Sequence, residues 1–142
     1  MIRRSKVATF FVAFKEKAVI SVGTDILKID RIEAVVERLG NKFVHRILTE
    51  AERLEYTSSS QPVRLLAKRF AAKEAVAKAL GTGIGRGVSW QDIQLVHNEN
   101  GAPQIELSGG ARRVAGERGG SRIEISLADE VDYVVAFAVL AK

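Results

Sequence analysis

Glu74 and Lys78 stand four residues apart in the run Phe70-Ala71-Ala72-Lys73-Glu74-Ala75-Val76-Ala77-Lys78-Ala79-Leu80-Gly81-Thr82-Gly83. On a helix that spacing puts a carboxylate and an ammonium group on one face, close enough to meet a common ligand. A second carboxylate, Asp25, follows Gly23-Thr24 far upstream and must be brought to the pair by the fold. Two carboxylates are few for an all-protein metal cage. They suit Mg2+, which keeps several waters and completes its octahedron with substrate phosphates. An ammonium beside such a site could stabilise or protonate a departing phosphate.

Each of these groups also has a plainer reading. Asp25 could be a turn or helix-capping aspartate. Glu74 and Lys78 could form a solvated pair worth a few tenths of a kcal/mol, on the order usual for helices. Gly81, Gly83, Gly85 and Gly87 could be a helix stop and a connector, since they follow neither the GxxxxGK[ST] order of a P-loop nor the Rossmann GxGxxG arrangement.

The elements that must position the set can be read from the flanking sequence. Ala18 to Gly23 is rich in Val and Ile and predicts a buried strand ending near Asp25. Asp30 can cap a helix over residues 31–39, with Gly40 and Asn41 as its stop. Thr49 and Glu52 have capping-box spacing for a short helix through Tyr56, and Pro62 starts a long helix through Leu80. Along that helix Leu66, Phe70, Ala77 and Leu80 recur at roughly helical spacing, and the intervening alanines allow neighbours to pack closely. Strands are expected at 93–97, 104–107, 122–127 and 133–140, with a short helix within 108–118 and an acidic turn at Asp129-Glu130-Val131-Asp132. The pattern is a single α+β domain, a long central helix packed on a mainly antiparallel sheet.

The chain has 142 residues, enough for one domain with an ordinary core, and no cysteine, which removes disulfides and thiolate chemistry and is compatible with a reducing compartment. Its net charge of +5 is unevenly placed. Residues 1–18 hold five basic side chains against Glu16, a net of +4, which leaves +1 for residues 19–142. The first 18 residues are therefore expected to be a basic extension that adds a strand or stays mobile. The apolar run from Val7 to Phe14 is too short to span a bilayer. Arg31, Arg38, Lys42, Arg46 and Arg53 could form a basic face, interrupted by Glu33, Glu37, Glu50 and Glu52. A mixed face suits a compact acidic protein better than a long phosphate backbone. His45 and His97 are expected to be structural or exposed.

Gly23-Thr24-Asp25 followed by Arg31, then Phe70 through Lys78 and Gly81-Thr82-Gly83, resembles the holo-[acyl-carrier-protein] synthase family of 4'-phosphopantetheinyl transferases over roughly residues 19–140. The resemblance implies transfer of the 4'-phosphopantetheinyl group from coenzyme A to a serine of apo acyl carrier protein, with release of adenosine 3',5'-bisphosphate. It also implies a requirement for Mg2+ and a cytoplasmic homotrimer with active sites between subunits. On this basis Asp25 and Glu74 would ligate the metal, Lys78 would be the active-site lysine, and Glu74 could also orient or deprotonate a water. Arg69, Lys73 and the turn Gly81-Thr82-Gly83 would lie near the coenzyme A phosphates. Asn100-Gly101-Ala102-Pro103 would help enclose the nucleotide, with Pro103 at its end. The basic face from Arg31 to Arg53 would receive the carrier. Neither a nucleic acid nor a membrane is expected as a partner.

The chain departs from the family in one place. Where the family often has Ser-x-Ser/Thr-His, this sequence reads Ser126-Leu127-Ala128-Asp129, so an aspartate stands in place of the histidine. Two other readings stay open. One is a nucleic-acid-binding module built on the basic N-terminal residues, and the other is a homologue that binds coenzyme A or a carrier without transferring anything.

Overall fold

The structure, a computed structural model, describes residues 18–142. The expected basic extension therefore lies outside the described residues, apart from Ala18. Three antiparallel strands form the main sheet in the order β1, β5, β4: β1 is Val19–Lys28, β4 is Arg122–Asp129 and β5 is Tyr133–Ala141. Strands β2 (Ile93–His97) and β3 (Pro103–Leu107) form a separate hairpin. Four helices lie between β1 and β2: α1 (Ile29–Leu39), α2 (Asn41–Ile47), α3 (Glu50–Ser58) and α4 (Pro62–Leu80). A fifth, α5 (Gly109–Glu117), precedes β4. The α+β architecture expected from the sequence is the one observed.

Helix α4 lies across the inner face of the main sheet. Its inner residues are small: Ala67, Ala71, Ala72, Ala75, Ala77 and Ala79 are fully buried, as are Ala136 and Ala138 on the facing side of β5. Closest approach occurs at Gly23. A Cβ built there would collide with the Ala75 carbonyl oxygen and lie 2.6 Å from the Ala79 nitrogen and 2.9 Å from the Lys78 Cβ. Glycine is thus required at this position by the helix backbone, and it does not end the strand. β1 continues past Asp25 to Lys28, where it pairs with Tyr133, so the expected strand end near Asp25 is corrected by five residues from Gly23.

Other boundaries follow local chemistry. Pro62 opens α4, and Gly81, at φ 84°, closes it with its N–H on the Ala77 and Lys78 carbonyls. Thr49 and Glu52 make the expected capping box on α3. Asp30 does not cap α1. The helix begins one residue earlier, and Asp30 sits in its first turn, where a carboxylate favours the helix dipole. Gly40, at φ 59°, ends α1, but Asn41 immediately starts α2. Asp129, expected in the turn, is the last residue of β4.

A buried ionic cluster joins α3, α4 and β2. Glu52 is 0% exposed, so it does not interrupt a surface basic face as expected. Its Oε1 accepts from the Thr49 N–H at 2.8 Å and from Lys73 Nζ at 2.6 Å, and its Oε2 accepts from the Leu95 N–H at 3.0 Å. Lys73 also donates to the carbonyls of Ile47 and Trp90. All three ammonium hydrogens have acceptors, which is the condition under which a charge can be buried without a large penalty.

Replacing Gly23 with alanine should push β1 and α4 apart and destabilise the chain by about 3 kcal/mol, the upper range for overpacking. Urea unfolding of Gly23→Ala beside the parent checks this. Equal midpoints would mean that the helix can move aside without cost.

Candidate active site

Gly23, Asp25 and Leu27 alternate on the side of β1 that faces α4, so seating Gly23 against Ala75 and Ala79 carries Asp25 to the helix face that holds Glu74 and Lys78. Lys78 Nζ donates to the Thr24 carbonyl at 2.9 Å and lies 3.3 Å from Asp25 Oδ1. The Asp25 side chain is 16% exposed and that of Lys78 51%, so the ammonium reaches from a partly buried carboxylate toward solvent. Thr24, Asp25, Ile26, Lys78 and Val135 line an open recess of about 370 Å3.

Both carboxyl groups are lifted above their ordinary pKa. For Asp25 the cause is burial, against which the hydrogen bond and charge of Lys78 pull downward. Burial also raises Glu74, and the negative charge of Asp25 adds to the effect while Lys78 opposes it. The two carboxylates are thus electrostatic neighbours, and a single ammonium balances them incompletely. Two hard oxygen donors that repel one another beside an open recess fit a divalent cation of the Mg2+ type, with remaining positions left to water and phosphate oxygens.

The structure divides the other expected site residues. Asp25, Glu74 and Lys78 come together. Lys73 is 0% exposed, with its ammonium held by Glu52, Ile47 and Trp90, and burial keeps its pKa below the usual lysine range although Glu52 partly restores it. Lys73, expected near the coenzyme A phosphates, thus spends its ammonium on partners within the protein. Arg69 is 2% exposed and bonds Glu55 through Nη2 at 2.6 Å, on a different side of α4 from Glu74. The turn Gly81-Thr82-Gly83 folds back over the end of α4, with the Thr82 and Gly83 N–H groups on the Ala77 carbonyl. Pro103 starts β3 opposite His97, and the Asn98 side chain shapes the turn before it by accepting from the Asn100 and Ala102 N–H groups.

The basic residues are spread over three helices. Arg31 and Arg38 lie on α1, Lys42 and Arg46 on α2, and all four are exposed, whereas Arg53 on α3 is half-buried and reaches the Leu48 carbonyl. His45 and His97 are exposed.

Sequence reading missed a second charged group. Arg64 Nη1 bonds Asp129 Oδ2 at 2.8 Å, and Lys68 Nζ lies 3.3 Å from Asp129 Oδ1. Burial works against the charge on Asp129, but these bonds and charges hold its carboxyl below the ordinary range. The available signal was the i, i+4 pair of cations on the long helix, which presents two positive groups along one face.

The sequence profile of the 4'-phosphopantetheinyl transferase superfamily matches residues 21–138. A holo-[acyl-carrier-protein] synthase of Shewanella baltica strain OS195 is 53% identical over 123 residues, which cover 87% of this chain and 97% of that protein. Among solved structures, the holo-[acyl-carrier-protein] synthase of Neisseria meningitidis superposes with a TM-score of 0.83 at 43% identity, covering 87% of this chain and 99% of that one. The holo-(acyl-carrier-protein) synthase of Bacillus anthracis in complex with CoA (3',5'-ADP) gives 0.73 at 34% identity, covering 87% and 97%. With Asp25 and Lys78 at one recess and the superfamily profile matching from within β1 to within β5, the chain belongs to the 4'-phosphopantetheinyl transferase superfamily.

Proposed function

We propose that this protein transfers the 4'-phosphopantetheinyl group of coenzyme A to a serine of apo acyl carrier protein and releases adenosine 3',5'-bisphosphate. The observation that carries this reading is that β1 and α4 bring Asp25 and Lys78 together at one recess, with Glu74 on the same helix close enough to feel the charge of Asp25. A non-catalytic binder would have no need for a partly buried carboxylate pair with an ammonium beside it. Similarity to holo-[acyl-carrier-protein] synthases over most of both chains supports the same substrates.

In the reaction the serine oxygen bonds to the phosphorus that carries pantetheine, and the phosphoanhydride bond to the adenosine 5'-phosphate breaks. Glu74 would orient a water that takes up the serine proton. Lys78, tethered by Thr24 and Asp25 yet half exposed, stabilises the charge that builds on the departing phosphate. Asp25 and Glu74 would hold Mg2+, which would supply charge neutralisation for the phosphate oxygens. Asp25 also orients Lys78, so it serves both the cation and the ammonium.

The reading includes a closed trimer with the recess shared between subunits. It is supported by the outer face of the main sheet, where Val22, Ile26, Tyr133, Val135 and Phe137 are each more than 40% exposed. Ile26 pairs with Val135 across the β1–β5 ladder, and both also line the recess, so a second copy seated on this face would add a wall to the site. Alternation leaves half of the C-terminal apolar run for this role, because Val134, Ala136, Ala138 and Leu140 are buried against α4. Arg31, Arg38, Lys42, Arg46 and Arg53 form the docking surface for an acidic carrier. Among the described residues no helix is long and apolar enough to cross a membrane. The cytoplasm, where coenzyme A and newly made carriers meet, is the compartment this reading assigns, and a chain without cysteine suits it.

Incubation with coenzyme A, Mg2+ and verified apo carriers should add one phosphopantetheinyl group to a carrier, read as an intact-mass increase. If folded protein modifies none of the carriers, the assignment is wrong. Lys78→Ala should lower single-turnover transfer by about 10²–10³-fold, the range for removing one transition-state donor, with coenzyme A binding largely kept. Near-normal chemistry with weakened binding would remove Lys78 from the transition state.

For the cation site, Asp25→Asn and Glu74→Gln should each abolish saturable Mg2+ binding in calorimetry and reduce transfer by at least about a hundredfold, since a hard ligand is lost. Unchanged Mg2+ titrations in both variants would exclude the two carboxylates as ligands.

The assembly is checked by Phe137→Asp. A charge at the centre of the apolar face should yield a monomer by light scattering and a large loss of transfer. A fully active monomer across the assay range would end the shared-site reading.

A further inference from the structure

Lys78 sits in the last turn of α4, which ends at Leu80. The final carbonyls of a helix have no partner inside it, so this is the turn most prone to fray. The chain that folds back over the helix end answers two of them. The Ala77 carbonyl accepts from the Thr82 and Gly83 N–H groups, and the Lys78 carbonyl from that of Gly81. The Ala79 carbonyl is left over: among the described residues no backbone N–H reaches it, because Gly83, four positions on, is already bonded to Ala77.

Two side chains supply the missing donors. Arg118, the residue that closes α5, donates from Nη1 to the Ala79 carbonyl at 2.7 Å and to Ser21 Oγ at 3.1 Å. Ser21, on β1, gives its own hydroxyl hydrogen to the same carbonyl. The guanidinium passes close over Gly81, where an added Cβ would lie 3.3 Å from Nη1. A cation here also faces the negative end of the helix dipole. One carbonyl thus ties α4, α5 and β1 together, a single residue beyond Lys78. Ser21 alternates with Gly23 and Asp25 on the inner side of β1, so the strand gripped at this point is the one that carries Asp25.

We propose that Arg118 is a positioning residue for Lys78. By holding the Ala79 carbonyl beside Ser21 it fixes the last turn of α4 on β1, and with it the point from which the Lys78 ammonium reaches the Thr24 carbonyl and Asp25. The proposal rests on the transferase reading only for what Lys78 does once it is in place. A long side chain keeps its charged end in one spot only if its backbone is held, and a small displacement at a reacting centre is expensive in rate. Glu74 lies one turn earlier, where the helical ladder continues on both sides, so Arg118 acts on one member of the set and spares the other. Arg118 itself touches none of the reacting atoms.

Arg118→Met should lower single-turnover transfer about tenfold, the scale of one lost hydrogen bond from a charged donor, and leave coenzyme A affinity as in the parent. In a Lys78→Ala background the same substitution should change nothing, because the lysine through which it acts is gone. An arginine that only braces the fold would slow both backgrounds by the same factor. That result, or an unchanged rate in Arg118→Met alone, would overturn the proposal. Heteronuclear NMR of the lysine ammonium groups reads the position of Lys78 without any substrate. Arg118→Met should speed proton exchange of the Lys78 ammonium about tenfold, and that of Lys73, enclosed by Glu52 and the Ile47 and Trp90 carbonyls, should stay the same. Equal exchange at Lys78 in parent and variant, or equal acceleration at both lysines, would refute it. If the folded parent modifies no carrier, the transferase reading fails and the two ammonium signals decide the role of Arg118.

Discussion

The contact between the backbone of α4 and the bare Cα of Gly23 is the constraint on which the site depends. It places strand and helix closer than any side chain would permit, and the alanines around it keep that distance along the whole interface. Because Asp25 is two residues beyond Gly23 on the same face of β1, and Lys78 is one residue before Ala79, the packing contact and the chemical constellation share their neighbours. Asp25, Glu74 and Lys78 need no loop to assemble them. They sit on rigid elements whose separation is set by hard contact, the arrangement best able to hold a charged group in one geometry.

Helix α4 carries two sets of charges with opposite fates. Arg69 and Lys73 turn toward α3 and β2, where Glu52 gathers them into the interior, whereas Glu74 and Lys78 turn toward β1 and the recess. Adjacent residues on a helix point about 100° apart, so Lys73 and Glu74 can serve structure and chemistry independently. Glu52 has a double function too. The same carboxylate that completes the capping box of α3 neutralises the interior lysine, and this couples the start of one helix to the middle of another.

Much of this was legible in the sequence, for physical reasons that differ by element. The bounds of α4 followed from Pro62 and Gly81, and the start of α3 from Thr49 and Glu52, because each residue type meets a local backbone need. The fate of Lys73 was legible in principle as well: it lies seven residues after Leu66 and seven before Leu80, in the same buried stripe, but its charge argued for a ligand. Gly23 misled in the other direction, since a glycine in a strand reads as an ending when the neighbour that demands it lies more than fifty residues away. Asp129 looked like a turn residue because nothing local marks its partners, Arg64 and Lys68, which reach it only after β4 has packed beside α4. The face of the main sheet that holds Ile26, Val135 and Phe137 was hidden within an apolar run whose alternation becomes visible once register is known.

The paired carboxylates at the recess have a consequence for how such a protein can change. Each is lifted by burial and Glu74 also by its neighbour, so the bare folded chain holds a repulsion that its unfolded form does not. Amides at positions 25 and 74 would relieve it while preserving shape and most hydrogen bonds. A library ranked only by heat resistance would therefore drift toward amides at these two positions, away from the carboxylates that the proposed cation site requires.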